Sequence, residues 1–203
     1  PELVRLVPGN HDRYIDAPWA DTLDAWSAYL EPRTENAWPR VWEHEDLCVI
    51  GLDCAVPSRP FMATGTLGAP QLEGLRVALR TARERRQFRL VMLHHSPLPW
   101  GHRWRKRLTD AHALLAIIDA EGAELIVHGH GHQEAQAAVP ARDSECHVFS
   151  VPSASYAVDG RAGWNLIRVD AQDAQWSIEI EARRWSSGTM HTAWTRCLTT
   201  SRA

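Results

Sequence analysis

Apolar and polar positions fall into two rhythms along this chain, and the change from one to the other divides it. Residues 3–7 form a short apolar run broken only by Arg5 and ended by Pro8-Gly9, which predicts a buried strand running into a tight turn. Within 21–30, Leu23, Trp26 and Leu30 fall on one face of a short helix that must stop before Pro32. Residues 47–52 are again strand-like and lead to Asp53. A loop holding Pro57, Pro60, Gly65 and Gly68 precedes a helix with Pro70 in its first turn and Leu72, Leu75, Leu79 and Ala82 on one side. The cationic stretch 83–86 suits the negative end of that helix's dipole. Residues 88–93 predict a buried strand that delivers His94 and His95. Thr109 predicts the cap of a helix from 110 to about 121, with Ala113, Leu114, Ile117 and Ile118 facing inward. Residues 124–127 predict the next strand, which delivers a second group of histidines.

From residue 146 onward only strand patterns remain, at 146–151, 164–169 and 175–182, the last with Trp176, Ile178, Ile180 and Ala182 alternating. With no helical pattern between them, these runs predict an antiparallel part, a second sheet starting at about residue 146. The strand and helix alternation before it predicts an α/β fold class. No internal repeat or linker interrupts the chain, so residues 1–203 are expected to form a single domain.

Composition narrows the function classes. With 203 residues, 44% apolar, 23% charged and a net charge of -3, the chain is long enough for a core and has no excess charge for general polyanion binding. Cys48, Cys54, Cys146 and Cys197 are too few and scattered for a disulfide framework, which predicts reduced thiols and a cytoplasmic setting. Apolar stretches end after about six residues, against the roughly 20 that a membrane span requires, so no membrane partner is expected.

Ten tryptophans are spread from Trp19 to Trp194 without a period and read as core and loop anchors. The eleven histidines are different, because five of them bunch at His94-His95 and at His128, His130 and His132. Three times an apolar run ends in a turn bearing imidazole or amide donors: Gly9-Asn10-His11-Asp12, His94-His95-Ser96-Pro97, and His128-Gly129-His130-Gly131-His132. In open α/β sheets ligands gather at the carboxyl ends of strands, so the three turns are expected to converge on one site. Gly9, Gly129 and Gly131 allow the backbone to turn sharply there and come close to an ion or a phosphate.

In order and spacing, Gly9-Asn10-His11-Asp12, His94-His95-Ser96-Pro97 and Gly129-His130-Gly131-His132 resemble the last three motifs of the calcineurin-like metallophosphoesterases. The resemblance runs from Val4 to about Val169 and implies a four-layer αββα sandwich. Residues Lys106-Arg107-Leu108-Thr109-Asp110 look most like bacterial members related to class III cyclic-nucleotide phosphodiesterases, a less specific match. The resemblance implies two divalent metal ions, manganese, iron or zinc, that clamp a phosphate and make hydroxide available near neutral pH. Asn10, His94 and His130 are implied as ligands to the second ion and His132 to the first. The double histidine leaves the register between His94 and His95 open; His94, directly after the strand, is favoured, and His95 is placed with the substrate. By the same resemblance His11 stabilises the phosphoryl oxygens or protonates the leaving alkoxide, and Asp12 holds its tautomer.

The family's first motifs, Asp-x-His and Gly-Asp-x-x-Asp, have no counterpart upstream of Gly9, so an N-terminally truncated copy of the domain, poor in metal ligands, is expected. Asp53 is expected to take a supporting role and not to replace the missing bridge. His44, His112, His147 and His191 read as structural, as does His128. The segment from Trp100 to Arg107 carries four cations and two tryptophans, which makes Arg105 and Lys106 candidates for holding an anionic substrate, including a nucleotide. The expected activity is phosphodiester hydrolysis of a small phosphoester. A non-catalytic interaction domain of the same fold is the alternative, and a nuclease is a third reading, not favoured.

Overall fold

The computed structural model describes residues 4–29, 38–99, 104–142, 144–156 and 158–202. Its centre is a six-stranded sheet built from β1 (Arg40–His44), β2 (Leu47–Gly51), β3 (Phe88–Met92), β4 (Leu125–His128), β5 (Ala135–Ala141) and β6 (Ser144–Ser150), in the order β1-β2-β3-β4-β6-β5. Strands β2, β3, β4 and β6 run parallel, and β1 and β5 close the two edges antiparallel. Parallel neighbours need a long crossover. Helix α2 (Ala69–Glu84) supplies it between β2 and β3, and α3 (Ala111–Glu121) between β3 and β4. A third, short helix, α1 (Trp19–Thr22), lies outside this scheme.

Helical periodicity decides which face is covered. Leu75, Leu79 and Ala82 of α2 and Leu114, Ile117 and Ile118 of α3 are buried in one cluster with Ile50, Val91, Ile126 and Val148 of the sheet. The opposite face presents Phe88, Leu125 and Phe149 to Trp176, Ile178 and Ile180. Those three belong to β8 (Gln175–Ser186), the middle strand of an antiparallel sheet with β7 (Ala162–Gln172) and β9 (Thr189–Ser201). Along β8, Trp176, Ile178, Ile180, Ala182 and Arg184 alternate inward as the period of two requires. Helices, first sheet and second sheet are therefore stacked as three of the four layers of an αββα sandwich, and the fold class is α/β.

Three expectations change. Leu3 lies outside the described residues, and residues 4–9 form no strand. Val7 packs near Gly51, where an added Cβ would sit 3.1 Å from it, but both hydrogen-bonding edges of β2 are already taken by β1 and β3. An apolar run with no free ladder to join stays irregular. The helix expected over 21–30 becomes α1 followed by a 3-10 stretch, Asp24–Tyr29, with Leu30 outside the described residues. Of its expected anchors Leu23 is buried, while Trp26 is exposed, and one anchor does not hold a longer α-helix in place. The segment at 146–150 belongs to the first sheet as β6, so the second sheet begins at Ala162. Cys146, Val148, Phe149 and Ser150 are buried within it, the signature of an interior parallel strand.

Among the described residues no helix is long and apolar enough to cross a membrane. All four cysteines are free thiols.

Candidate metal centre

The carboxyl ends of β3 and β4 lie side by side, and the turn that follows each carries histidine. Beyond β3, alternation sends the rings of His94 and His95 in different directions, at 84° to one another. Beyond β4, the turn is held by Gly129 N–H donating to His94 O (3.1 Å) and Gly131 N–H donating to Gly129 O (2.7 Å). His130 and His132 occupy left-handed backbone, at φ 60° and 51°, a conformation that a side chain adopts only where surrounding structure enforces it. The third contribution comes from the 3-10 turn Asn10–Arg13. Gly9 N–H donates to Asp12 Oδ2 at 2.7 Å, and Asp12 N–H to Gly9 O at 3.0 Å, which closes that turn and buries Asn10.

Three donor atoms meet at the convergence. Asn10 Oδ1 is 3.0 Å from His94 Nε2 and 3.1 Å from His130 Nδ1, and the two imidazole nitrogens are 3.1 Å apart. Hydrogen bonding satisfies at most two sides of this triangle at a time, because two ring protons pointing at each other repel. A cation satisfies all three corners together. The spacing fits as well: on an octahedron with donors about 2.1–2.2 Å from the centre, neighbouring donors are about 3.0–3.1 Å apart. Burial holds both imidazoles neutral, with the lone pairs a metal needs. The pKa of His94 is lowered to about 3 by desolvation, helped by the charges of His95 and His11, and that of His130 to about 3 by desolvation and by His95, His94 and Lys106. With His130 Nδ1 turned to the triangle, its Nε2 is buried without a hydrogen-bond partner among the described residues.

Among the described residues, two histidines and an amide are the donor set at this point. Among the described residues no group of three or more His, Cys, Asp or Glu is placed to hold a metal ion. His132 is exposed, its ring 5.7 Å from that of Tyr156, and near enough for its charge to act on His94 and His130. His11 is exposed on the same turn as Asn10, with Nε2 3.4 Å from the Tyr14 hydroxyl. The observed partner of Asp12 is the Gly9 amide.

Of the two adjacent histidines, it is His94 whose ring meets Asn10 and His130. His95 differs from its expected place beside the substrate: it is 0% exposed. Its Nε2 donates to Ala63 O (3.0 Å), and Nδ1 lies 3.1 Å from Cys54 Sγ, whose thiol burial pushes up to about 12 and so keeps protonated as a donor. His95 braces the wall behind His94. His128 is likewise buried, with Nδ1 3.2 Å from Gly129 O.

Asp53 has a second task that its strand-end position alone did not reveal. Its Oδ2 is 3.4 Å from Arg13 Nη1, while Oδ1 accepts from Ala55 N–H at 2.8 Å, so it ties the Asn10 turn to the end of β2. Desolvation raises its carboxyl to about 6 against the pull of Ala55 N–H and Arg13. Arg105 and Lys106 lie in a short 3-10 turn, Trp104–Lys106, and are exposed; Trp100, Gly101, His102 and Arg103 lie outside the described residues. Arg105 and Lys106, together with Tyr14, Phe61 and Trp104, line a cavity of about 670 Å³.

A sequence model described as calcineurin-like phosphoesterase matches residues 2–134, which include all three turns that meet at the triangle. Solved structures similar to the chain include a dimetal phosphatase from Danio rerio (11% identity, TM-score 0.48, covering 68% of this chain and 40% of that one). Vps29 from Chaetomium thermophilum (13% identity, TM-score 0.35) is covered for 59% of its length by 81% of this chain. The calcineurin-like phosphoesterase YfkN from Bacillus subtilis (10% identity, TM-score 0.26) is covered for 36% of its length by 64% of this chain. The chain thus spans less than two thirds of each of these proteins. No curated protein matches it.

Proposed function

We propose, since the chain belongs to the calcineurin-like phosphoesterase family, that it serves metal-dependent hydrolysis of phosphoesters, and of phosphodiesters in particular. The observation that carries this reading is the triangle of Asn10 Oδ1, His94 Nε2 and His130 Nδ1 at the joined strand ends. A divalent ion bound there, manganese, iron or zinc, supplies positive charge to the phosphoryl oxygens and an ionised water near neutral pH. In this reading Asn10, His94 and His130 hold one ion and His132 contributes to a second.

The chain's own residues do the rest. His11, exposed beside the triangle, carries a proton to the departing alkoxide from a ring whose Nε2 already faces a hydroxyl, that of Tyr14. Asp12 fixes the turn that presents both Asn10 and His11 by accepting the Gly9 amide proton. Arg105 and Lys106 hold the substrate's anion from the side. The four free thiols support a reducing, cytoplasmic setting for this work.

The test uses bis(4-nitrophenyl) phosphate with the purified protein and added manganese. Release of nitrophenol that stops with a chelator and falls at least 100-fold in His94→Ala and His11→Ala is the expected result. Turnover indifferent to the chelator, or undiminished in His94→Ala, refutes the reading. A second reading, a non-catalytic interaction domain, is favoured by one observation: no carboxylate touches the triangle among the described residues. It predicts manganese binding that His94→Ala abolishes, without turnover of any phosphoester.

A further inference from the structure

Isolated exposed aromatics are ordinary on a protein surface, but here three of them line one cavity. Phe61 is 92% exposed, Trp104 58% and Tyr14 44%, and they come from three distant stretches of chain to border the same space of about 670 Å³. That volume lies inside the range typical of small-molecule sites. Met62, Ala63, Arg105 and Lys106 complete the lining, which includes no carboxylate among the described residues.

The cleft is held in shape. Phe61 sits on left-handed backbone at φ 64°, an unfavourable conformation for a bulky side chain, within a turn closed by Met62 N–H donating to Arg59 O (2.9 Å) and Ser58 Oγ to Met62 O (2.8 Å). That turn is fastened to the Trp104 segment by Ala63 N–H donating to Arg105 O (2.7 Å) and Gly65 N–H to Arg107 O (3.0 Å). The Arg105 guanidinium lies 5.2 Å above the Trp104 ring.

The cleft also adjoins the candidate metal centre. The Tyr14 hydroxyl is 3.4 Å from both Asn10 Nδ2 and His11 Nε2. Ala63 O, on the cleft's wall, accepts from His95, whose ring is 4.3 Å from that of His130. The positive charge of Lys106 is near enough to His130 to be felt there.

We infer that the cleft bounded by Tyr14, Phe61, Trp104, Arg105 and Lys106 binds the ring-bearing arm of the substrate, a phosphoester that carries a flat aromatic group. The ring stacks on the exposed side chains, the cations take its phosphate oxygens, and Tyr14 marks the passage to the triangle. This specificity rests on the phosphoesterase reading but is separable from it, since binding is measured without turnover. The shared chemistry is an aromatic ring joined to a phosphate, whether the ring is a nucleobase or a simple aryl group.

The experiment is calorimetric titration of the protein in chelator, which blocks turnover, with four probes: phenyl phosphate, glycerol 3-phosphate, adenosine 5′-monophosphate and ribose 5-phosphate. Each ring-bearing probe is compared with its ringless counterpart. One stacked ring predicts a preference of about tenfold or more. Phe61→Ala and Trp104→Ala, at exposed positions that leave the core intact, are expected to erase the preference while the ringless probes bind as before; Lys106→Ala weakens all four alike. Preference in both pairs assigns a general ring site, and preference in the nucleotide pair alone assigns a nucleobase site. Equal binding within both pairs, a preference that survives both alanine variants, or no binding of any probe at millimolar concentration overturns the inference. Hydrolysis of bis(4-nitrophenyl) phosphate remains a separate measurement, so failure of one reading is not mistaken for failure of the other.

Discussion

Gly9 shows how little room the donors have. A Cβ added there would stand 2.8 Å from His94 Nδ1 and 2.9 Å from its Cε1, so Gly9→Ala must displace the ring that completes the triangle. Manganese affinity, measured by titration, is expected to fall roughly 10–100-fold, as it does when supporting residues of metal sites are lost, with an unchanged circular dichroism spectrum. Protonation works on the same residues. The pKa values of His94 and His130 are lowered to about 3 and that of His128 to about 4, each by desolvation first, while the unfolded chain takes up those protons near pH 6.5. Between those values the unfolded state binds more protons, so stability falls as pH falls. Asp53 acts in the opposite sense: its carboxyl is raised from 3.8 to about 6, which favours the folded state at low pH and is lost as pH rises through that window. Three histidines outweigh one carboxyl, and the urea midpoint is expected to be lower at pH 5 than at pH 7. The convergence of Asn10, His94 and His130 was legible in the sequence because imidazole and amide groups followed apolar runs. The burial of His95 was not, since two adjacent histidines look alike until the strand's alternation assigns one inward and one to the site.

At the scale of elements, β3 is tied to the entry of β4 by an ion pair that hydrophobic patterning could not announce, and its arginine also reaches the end of α3. Arg89 at the start of β3 and Glu124 just before β4 are almost wholly buried; Glu124 Oε2 accepts from the Arg89 backbone N–H at 2.6 Å and from its Nε at 3.1 Å, and Arg89 also donates to Glu121 O at 3.0 Å. Arg89→Met leaves Glu124 buried without its counter-charge and is expected to cost about 3–5 kcal/mol in urea unfolding. In Arg89→Met/Glu124→Leu most of that loss is expected to return, because the pair is then replaced by apolar contact. Elements with strong periodicity, α2, α3, β3, β4 and β8, were readable from the sequence. Those with mixed patterns were not: β1 exposes Val41, β5 carries Pro140, and β9 shows one buried residue in thirteen. Edge strands are held by their neighbours' ladders, so their own side chains say little.

For the whole molecule, the two-sheet stack follows from apolar faces that must be covered, and that much was written in the alternation of Trp176, Ile178 and Ile180. Which sheet β6 joins was decided by tertiary pairing with β4, beyond the reach of local pattern. On the proposed reading, the stack also makes metal binding a global property. An ion that binds only the folded chain at 100 times its dissociation constant adds about 2.7 kcal/mol to stability. Heating scans with and without manganese are therefore expected to differ by several degrees, and His94→Ala is expected to remove the difference.

The triangle's corners, at residues 10, 94 and 130, set an order of events in time. As the chain leaves the ribosome, at about 5–20 residues per second, the Asn10 turn must wait several seconds or longer for His130 to follow. Until β3 and β4 have docked, neither histidine has a fixed place opposite that amide. On the proposed reading, capture of an ion thus follows the docking of β3 against β4, and an occupied site certifies that these two parallel strands have paired.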